Sequence, residues 1–141
     1  RSSDLAETSP AEKIQLQTLA ARACLQDGKT SEAKKLLENA NMTNETANDA
    51  VSECLLLNTK AVFDAYQGRL IEADRTLKQA AERSLQLPPE IKLLTMANIA
   101  LVLKEFSPEE SHNYLSVVKK LSESLDFNEF KEDFLYFAGI R

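Results

Sequence analysis

One thirteen-residue phrase occurs twice in this chain and limits what the chain can fold into. Residues 28–40 read GKTSEAKKLLENA, and residues 68–80 read GRLIEADRTLKQA, which aligns without a gap 40 positions later. Self-similarity with a period of about 20–50 residues is typical of stacked supersecondary units, each of which packs on its neighbours. The repeat therefore predicts a stack of similar units rather than one irregular core.

The composition predicts that these units are helical. Residues with high helix propensity dominate the 141-residue chain, which contains only three glycines and four prolines. No segment of the sequence alternates polar and apolar residues as a half-buried strand does. An apolar fraction of 43% is enough to build the core of a single domain. We therefore expect an all-α domain, preceded by a flexible tail at residues 1–8.

Apolar periodicity and polar breaks divide the chain into about seven helices. The predicted helices span residues 10–27, 30–41, 46–67, 70–85, 89–105, 108–124 and 126–137. Residues 41–46 are rich in Asn and Thr and are predicted to form a loop. Gly28 and Gly68 each end a helix with a short turn, which favours antiparallel neighbours.

Several residues have the pattern of helix caps. Ser9 stands three residues before Glu12, which is the spacing of a capping box, and Pro10 between them suits the first helical turn. Thr30 or Ser31 is expected to cap the second helix, because hydroxyl side chains accept hydrogen bonds from free backbone N–H groups. Ser107 is expected to cap the sixth helix, and Asp126 opens the short seventh one.

The repeated phrase resembles the tetratricopeptide repeat, a unit of two antiparallel helices with small residues where the helices pack closely. The turn glycine, two small positions and the large position between them are matched twice, by Gly28, Ala33, Leu37 and Ala40, and by Gly68, Ala73, Leu77 and Ala80. Ala21 and Ala61 match the small positions of the first helices. Alanines seven residues apart with a leucine between them put one large side chain between two small gaps on one helical face.

The resemblance implies a single domain over residues 9–141, folded as a right-handed α-solenoid of antiparallel helix hairpins. The expected units span residues 9–41, 46–86 and 88–124, followed by a capping helix at 126–137. The third unit matches less well, because Ser111 replaces an alanine and Phe106 replaces the turn glycine. The resemblance thus implies two clear units, a weaker third unit and a terminal helix.

Two features depart from the family pattern. The period is 40 and then 38 residues, against about 34 in tetratricopeptide repeats. Lys60 and Asp64 fall where the first helix of a unit packs inward, so either the alignment shifts there or these side chains snorkel or form ion pairs. A related helical-hairpin solenoid, HEAT-like or similar to the arrays of proteasome-lid subunits, is the alternative.

In the family that the chain resembles, the first helices of the units line a concave groove that takes extended or helical peptides. Carried over by position, this groove would present Thr18, Arg22, Asn58, Val62, Tyr66, Met96 and Lys104. A clamp for a terminal carboxylate is disfavoured, because only Arg22, Asn58 and Lys104 are loosely available for it. A more apolar groove suits an amphipathic helix or an apolar peptide. The alternative is that these side chains are buried against neighbouring helices.

Aromatic residues are concentrated near the C-terminus. The side chains Phe127, Phe130, Phe134 and Phe137 follow the i, i+3, i+7, i+10 spacing of one helical face. A stack of repeats needs an element that shields its last open face, which favours a capping helix. The alternative is a docking helix for a partner or for a second copy of the chain, which would make the chain a homodimer.

Charge and composition disfavour several other functions. The net charge is −5 and the pI is near 5.0, whereas proteins that bind nucleic acid usually carry a basic face. The longest apolar run, residues 99–103, is far shorter than the ~20 residues that span a bilayer. We therefore expect no nucleic acid and no membrane among the partners. The chain begins with Arg1 rather than Met, which is consistent with a piece excised from a longer protein.

The sequence offers little for catalysis. The single histidine, His112, lacks metal-ligand spacing, and residues 28–30 (GKT) lack the earlier glycine of a phosphate-binding loop. Cys24 and Cys54 lie within helical patterns and are expected to be reduced, buried thiols of a cytoplasmic or nuclear protein. We therefore expect no enzymatic activity, no metal and no cofactor; a small helical enzyme that uses a cysteine is a distant alternative.

The expected function is that of a non-catalytic scaffold or adaptor. It would bind a peptide or helix of a protein partner within a multi-subunit complex. The alternative is a purely architectural segment of a solenoid, or a homodimerisation module that uses the C-terminal aromatic helix.

Overall fold

A computed structural model describes residues 9–124 of the chain, and over this range the protein is entirely helical. Its six α-helices are α1 (Pro10–Gln26), α2 (Thr30–Ala47), α3 (Ala50–Tyr66), α4 (Leu70–Arg83), α5 (Pro89–Leu103) and α6 (Pro108–Glu123). One turn of 3₁₀ helix, Ser84–Gln86, follows α4. The all-α prediction is confirmed for this range, whereas the predicted tail at 1–8 and the predicted helix at 126–137 lie outside it.

Two of the helices begin with side-chain caps. Ser9 caps α1, since its Oγ accepts a hydrogen bond from the N–H of Glu12 at 3.1 Å, as the sequence predicts. The Glu12 carboxylate in turn accepts a hydrogen bond from the Ser9 hydroxyl. Asp49 caps α3 by accepting from the N–H of Ser52 at 2.9 Å. These caps fix where the first helices of the first two pairs start.

The loop predicted at residues 41–46 is wrong, because α2 continues through it to Ala47. Thr43 and Thr46 remain in the helix by donating their hydroxyl protons to the carbonyls of Asn39 and Thr43. The helix ends at Asn48, which adopts the left-handed conformation with φ of 50°, a conformation that Asn tolerates better than most residues. The break between α2 and α3 therefore lies at residues 48–49.

The other predicted caps are also corrected. Thr30 and Ser31 lie inside α2, whose N-cap is Lys29, and Ser107 precedes α6 without a side-chain capping hydrogen bond. The turns depend instead on glycine. Gly28 and Gly68 have φ values of 78° and 83°, a region that side chains with a Cβ rarely adopt. Both are therefore suited to end a helix and reverse the chain.

Backbone hydrogen bonds close both glycine turns in the same way. The N–H of Lys29 donates to the carbonyl of Cys24 at 2.7 Å, and the N–H of Arg69 donates to the carbonyl of Asp64 at 2.9 Å. In each turn the glycine N–H donates to the carbonyl three residues earlier. This is the Schellman arrangement, in which a left-handed glycine ends a helix. The two repeats therefore share their turn geometry as well as their sequence.

The helices pack as three successive pairs, α1–α2, α3–α4 and α5–α6. The turns that join the two helices of each pair are short, so the two helices run antiparallel. Each pair also contacts the next pair: α3 packs on α1 and α2, and α5 packs on α3 and α4. First helices thus lie beside first helices along the described range.

The small residues of the repeated helix pairs are buried in the core. The alanines predicted to be buried are all fully buried: Ala21, Ala33, Ala40, Ala61, Ala73 and Ala80. Leu37 clusters with Ala21, Ala33 and Ala40 and with Leu56 of α3. Leu77 clusters with Ala61 and Ala73 and with Ile99 and Leu103 of α5. The predicted burial of the repeated alanines is confirmed.

Candidate functional site

Three of the seven side chains predicted to line a concave groove lie between helices instead. Thr18, Arg22 and Asn58 are buried, so a partner could not reach them in this structure. The sequence placed them on a binding surface because the family alignment puts them on the inner faces of first helices. Asn58 contacts the next first helix directly, since it forms hydrogen bonds with Thr95 and Asn98 of α5. Burial, the alternative to a groove that the sequence left open, holds for Thr18, Arg22 and Asn58.

The other four predicted groove residues do not form one surface of similar exposure. Val62 and Met96 are half-buried, and Val62 packs against the core of the first pair. Tyr66 and Lys104 are exposed near the ends of α3 and α5. The four side chains therefore differ in exposure, and their role in binding a partner stays a prediction.

Asn58 is the centre of a buried hydrogen-bond network that joins α3 to α5. Its Nδ2 donates to the Cys54 carbonyl at 2.9 Å and to the Thr95 Oγ1 at 3.0 Å. Its Oδ1 accepts from the Asn98 Nδ2 at 2.9 Å. The Thr95 hydroxyl donates onward to the carbonyl of Ile91. Buried polar groups that are satisfied in this way fix the alignment of two helices, so we assign Asn58 a structural role.

The Cys54 thiol belongs to the same buried network. Its Sγ lies 3.6 Å from the Ala80 carbonyl and 3.8 Å from the Thr95 Oγ1. Burial raises the pKa of this thiol above its ordinary value, and the hydrogen bond with Thr95 lowers it by less. A thiol that is buried and protonated is a poor nucleophile. Cys24, the other cysteine, is half-buried against the core cluster of the first pair, with its Sγ 3.9 Å from the Glu32 carboxylate.

An open groove lies on the other side of the helix stack, between α2 and α3. It measures about 260 Å³ and is lined by Lys34, Leu37, Glu38, Asn41, Lys60, Phe63 and Asp64. The side chains of Leu37 and Phe63 form its apolar floor, and both belong to or pack against the core cluster of the first pair. The floor is therefore held by packing, while the polar side chains form the rims. We call this site the α2–α3 groove.

A second depression continues the α2–α3 groove towards α4. It measures about 220 Å³ and is lined by Asn41, Asn44, Glu53, Leu56, Leu57, Lys60 and Arg83. Asn41 and Lys60 line both depressions, so the two form one surface running over α3. The extended α2, whose last turns the sequence did not predict, supplies Asn44 to this wall. A surface of this shape can accept a helix or an extended segment.

The carboxylates on the α3 wall are mostly neutralised within the chain. Asp64 accepts two hydrogen bonds from the Arg69 guanidinium, at 2.7 and 3.1 Å, and that guanidinium lies 5.9 Å from the Phe63 ring centroid. Glu53 forms an ion pair with Arg83. The half-buried Asp64 carboxylate is therefore paired within the chain.

The positive charges of two groove lysines are not paired with a carboxylate among the described residues. Within residues 9–124, neither Lys34 nor Lys60 forms an ion pair, and the Glu38 carboxylate on the same rim also lacks one. Lys60 is half-buried, so its aliphatic stem covers apolar surface while its ammonium group stays at the groove. The sequence drew attention to Lys60 but missed Lys34 and Phe63, because only packing shows that α2 leaves this side of α3 open.

A third, more open depression lies at the turn end of the second and third pairs. It measures about 420 Å³, and its apolar lining includes Ile71 and Phe106, both of which are exposed. Phe106 stands where the first two units have a turn glycine. This depression is larger than the α2–α3 groove, and Arg69 and Glu72 also line it.

Metal-ligating side chains do not cluster in the part of the chain that the structure describes. No group of three potential metal ligands occurs among residues 9–124. His112 is exposed on α6. None of the helices in the same range is long and apolar enough to cross a bilayer.

No protein-family model matches this chain, and neither curated proteins nor solved structures gave a significant match.

Proposed function

We propose that this chain is a non-catalytic protein-binding domain that holds a segment of a partner in the α2–α3 groove. The observation that carries the proposal is an apolar floor, Leu37 and Phe63, between two lysines without ion pairs in the described range. A floor of this kind supplies burial for apolar side chains, and the lysines supply attraction for carboxylates. On this proposal the chain needs no cofactor or metal and acts as an adaptor in a cytoplasmic or nuclear complex.

We propose further that the helix pairs form a solenoid similar to the tetratricopeptide arrangement. Two observations support this: successive first helices pack side by side, and the turns at Gly28 and Gly68 are closed by the same hydrogen bonds. In such a stack each pair contacts mainly its neighbours and leaves grooves between them. The groove proposed here lies between the second helix of the first pair, α2, and the first helix of the second pair, α3.

The partner segment is expected to combine apolar and acidic side chains. Lys34 and Lys60 exceed the single unpaired carboxylate of the rim, Glu38, in a protein whose net charge is −5. The groove is therefore a locally positive site on an acidic protein. Charged rims of this kind affect the association rate and specificity more than the total affinity.

A random peptide library displayed on phage tests this proposal. We expect selected peptides to be enriched in Asp or Glu spaced among apolar residues. Reversal of both groove charges, with Lys34→Glu and Lys60→Glu, should weaken binding of a selected peptide by about tenfold, because each partly exposed ion pair contributes up to about 1 kcal/mol. Raising the salt concentration should reduce the difference between the two proteins.

Lys35→Glu is the matched control, since Lys35 neighbours Lys34 on α2 but does not line the groove. Binding that Lys35→Glu weakens as much as the double variant does would assign the effect to net charge alone. Selected peptides without acidic residues, or peptides that bind the double variant equally well, would contradict the proposed site. Circular dichroism of each variant shows whether the helices are intact.

An architectural role is the second candidate, and the end of the stack favours it. Leu16 of α1 is 62% exposed, whereas Leu56, at the equivalent place 40 residues later, is 1% exposed because α2 and α1 cover it. The outer face of α1 therefore has the apolar character of a surface between successive pairs.

The architectural role also includes a homodimer formed through the C-terminal aromatic residues. A discrete dimer in light scattering that is lost with Phe130→Ala or Phe134→Ala would favour such a homodimerisation module.

A further inference from the structure

The same leucine position has different surroundings in the three helix pairs. Leu37 of α2, Leu77 of α4 and Leu115 of α6 occupy corresponding places, and they are 6%, 0% and 47% exposed. The first two are buried by the helix that follows: Leu37 clusters with Leu56 of α3, and Leu77 clusters with Ile99 of α5. Leu115 therefore lies on the face that a following helix covers in the earlier pairs.

The chain continues directly from this face. Helix α6 ends at Glu123, and residues 125–141 follow it. Helix α6 runs antiparallel to α5, so it ends where a following first helix would begin, as α2 ends where α3 begins. The predicted helix at 126–137 would be about 18 Å long at 1.5 Å per residue, and Leu115 lies about 12 Å from the end of α6 by the same measure. The segment is long enough to reach Leu115.

The chemistry of the segment matches the face. Four phenylalanines with helical spacing offer apolar surface, and Glu129, Glu132 and Asp133 lie among them. On α6, Lys119 is one turn beyond Leu115 on the same side of the helix and forms no ion pair within residues 9–124. An acidic aromatic segment therefore complements an apolar face that is flanked by a lysine.

We propose that residues 125–141 dock in cis on the face of α6 around Leu115, in the place that α3 takes on the first pair and α5 takes on the second. The C-terminal segment then closes the stack, and its phenylalanines pack on the chain itself rather than on a second copy. This face is separate from the α2–α3 groove, so a partner can bind the groove while the segment is docked.

A single tryptophan can report on this contact, because the chain contains none. In the full chain carrying Phe134→Trp, we expect blue-shifted emission and protection from quenching by acrylamide, an uncharged quencher, independent of protein concentration. Adding Leu115→Glu should abolish the blue shift. Lys119→Glu, which changes an exposed charge without touching the apolar contact, should increase quenching and leave the helix content unchanged.

Val117→Glu is the matched control. Val117 is 46% exposed, nearly as much as Leu115, but two helical positions place it on the opposite side of α6. The blue shift should persist in this variant. Solvent-exposed emission in the parent protein, or equal loss with Val117→Glu, would overturn the proposal. Emission that reddens on dilution together with dissociation of a dimer would also overturn it, because the segment would then dock on a second copy.

Discussion

The two junctions between successive helix pairs use different interactions. At the first junction, where α3 packs on α1 and α2, Leu56 packs among the buried apolar residues of the first pair. Its hydrogen bonds lie towards the helix starts, where the Ser52 hydroxyl accepts from Gln15 and donates to the Ala11 carbonyl. These hydrogen bonds between α1 and α3 lie at the edge of the junction, whereas Thr18 and Arg22 are buried farther along α1.

At the second junction, where α5 packs on α3 and α4, polar groups occupy the centre. Asn58, Thr95 and Asn98 form a buried chain of hydrogen bonds between α3 and α5. Thr18, 40 residues before Asn58, is equally buried, but its hydroxyl donates only to the Gln15 carbonyl of its own helix. Equivalent positions thus contribute to different kinds of contact.

The difference indicates how each junction tolerates change. Truncating a side chain in an apolar junction costs the lost burial plus a cavity term. The cavity term grows with the volume that neighbouring side chains leave unfilled. A hydrogen-bonded junction depends on every member, since removing one leaves buried partners without a bond. The following predictions test that contrast, from the largest expected effect to the smallest.

Removing the central side chain of the first junction should have the largest effect. We expect Leu56→Ala to reduce the free energy of unfolding by about 3 kcal/mol, which combines lost burial with a cavity. Leu16→Ala, the equivalent change on the exposed face of α1, should alter it by less than about 0.5 kcal/mol. Urea denaturation followed by circular dichroism measures both. Equal effects of the two substitutions would contradict the placement of Leu56 under the first pair.

Replacing the central amide of the second junction should cost somewhat less. Asn58→Leu keeps most of the volume but deprives the Asn98 amide of its acceptor, so we expect a loss of about 2 kcal/mol in the free energy of unfolding. Thr18→Val is the control, with an expected loss of about 1 kcal/mol or less, because the hydroxyl bonds only within its own helix. A leucine variant as stable as the parent protein would show that the junction behaves as an apolar contact.

A smaller, pH-dependent effect is expected between α4 and α6. The ammonium of Lys78 lies 3.0 Å from Asp74 and 3.1 Å from Glu110, and these contacts, the hydrogen bond with Asp74 first, raise the pKa of Lys78 above 10.5. Because the pKa is raised in the folded state, the stabilisation is complete below pH 10.5 and is lost as the pH rises through the folded-state pKa.

Lys78→Met should therefore lower the free energy of unfolding by about 0.5 kcal/mol near neutral pH, since the pair is largely exposed. The difference between variant and parent should disappear above the folded-state pKa, and titration of urea midpoints measures it. Lys35→Met, which removes an unpaired lysine of α2, should show no such pH dependence. A difference that persists at high pH would mean that Lys78 stabilises the fold by packing rather than by charge.

The repeated phrase predicted much of the fold because it encodes contacts that are close in sequence. Ala33 and Ala73 are fully buried, and Gly28 and Gly68 have the left-handed turns that their positions imply. The main error in the helix boundaries is the end of α2, where an Asn- and Thr-rich segment remains helical because its hydroxyls bond backbone carbonyls. Composition indicated a loop, and local hydrogen bonds outweighed it.

The candidate site was much less predictable. The residues expected to bind a partner included Thr18 and Asn58, which are buried where one first helix meets the next. The α2–α3 groove combines Lys34 and Phe63, which are distant in sequence and belong to helices of different pairs. No periodicity in the sequence connects these two residues, because the distance between α2 and α3 depends on how the pairs stack.

By itself, the sequence determined that the described chain is helical, where its glycine turns lie and which small residues face inward, because these follow from local propensity and from spacing along one helix. The tertiary structure decided which inward faces become junctions and which side of α3 remains open. It also decided that Asn58 holds two helices together while Leu115 is left uncovered within the described range. Those outcomes depend on contacts between pairs, whose geometry is set by the fit of whole helices.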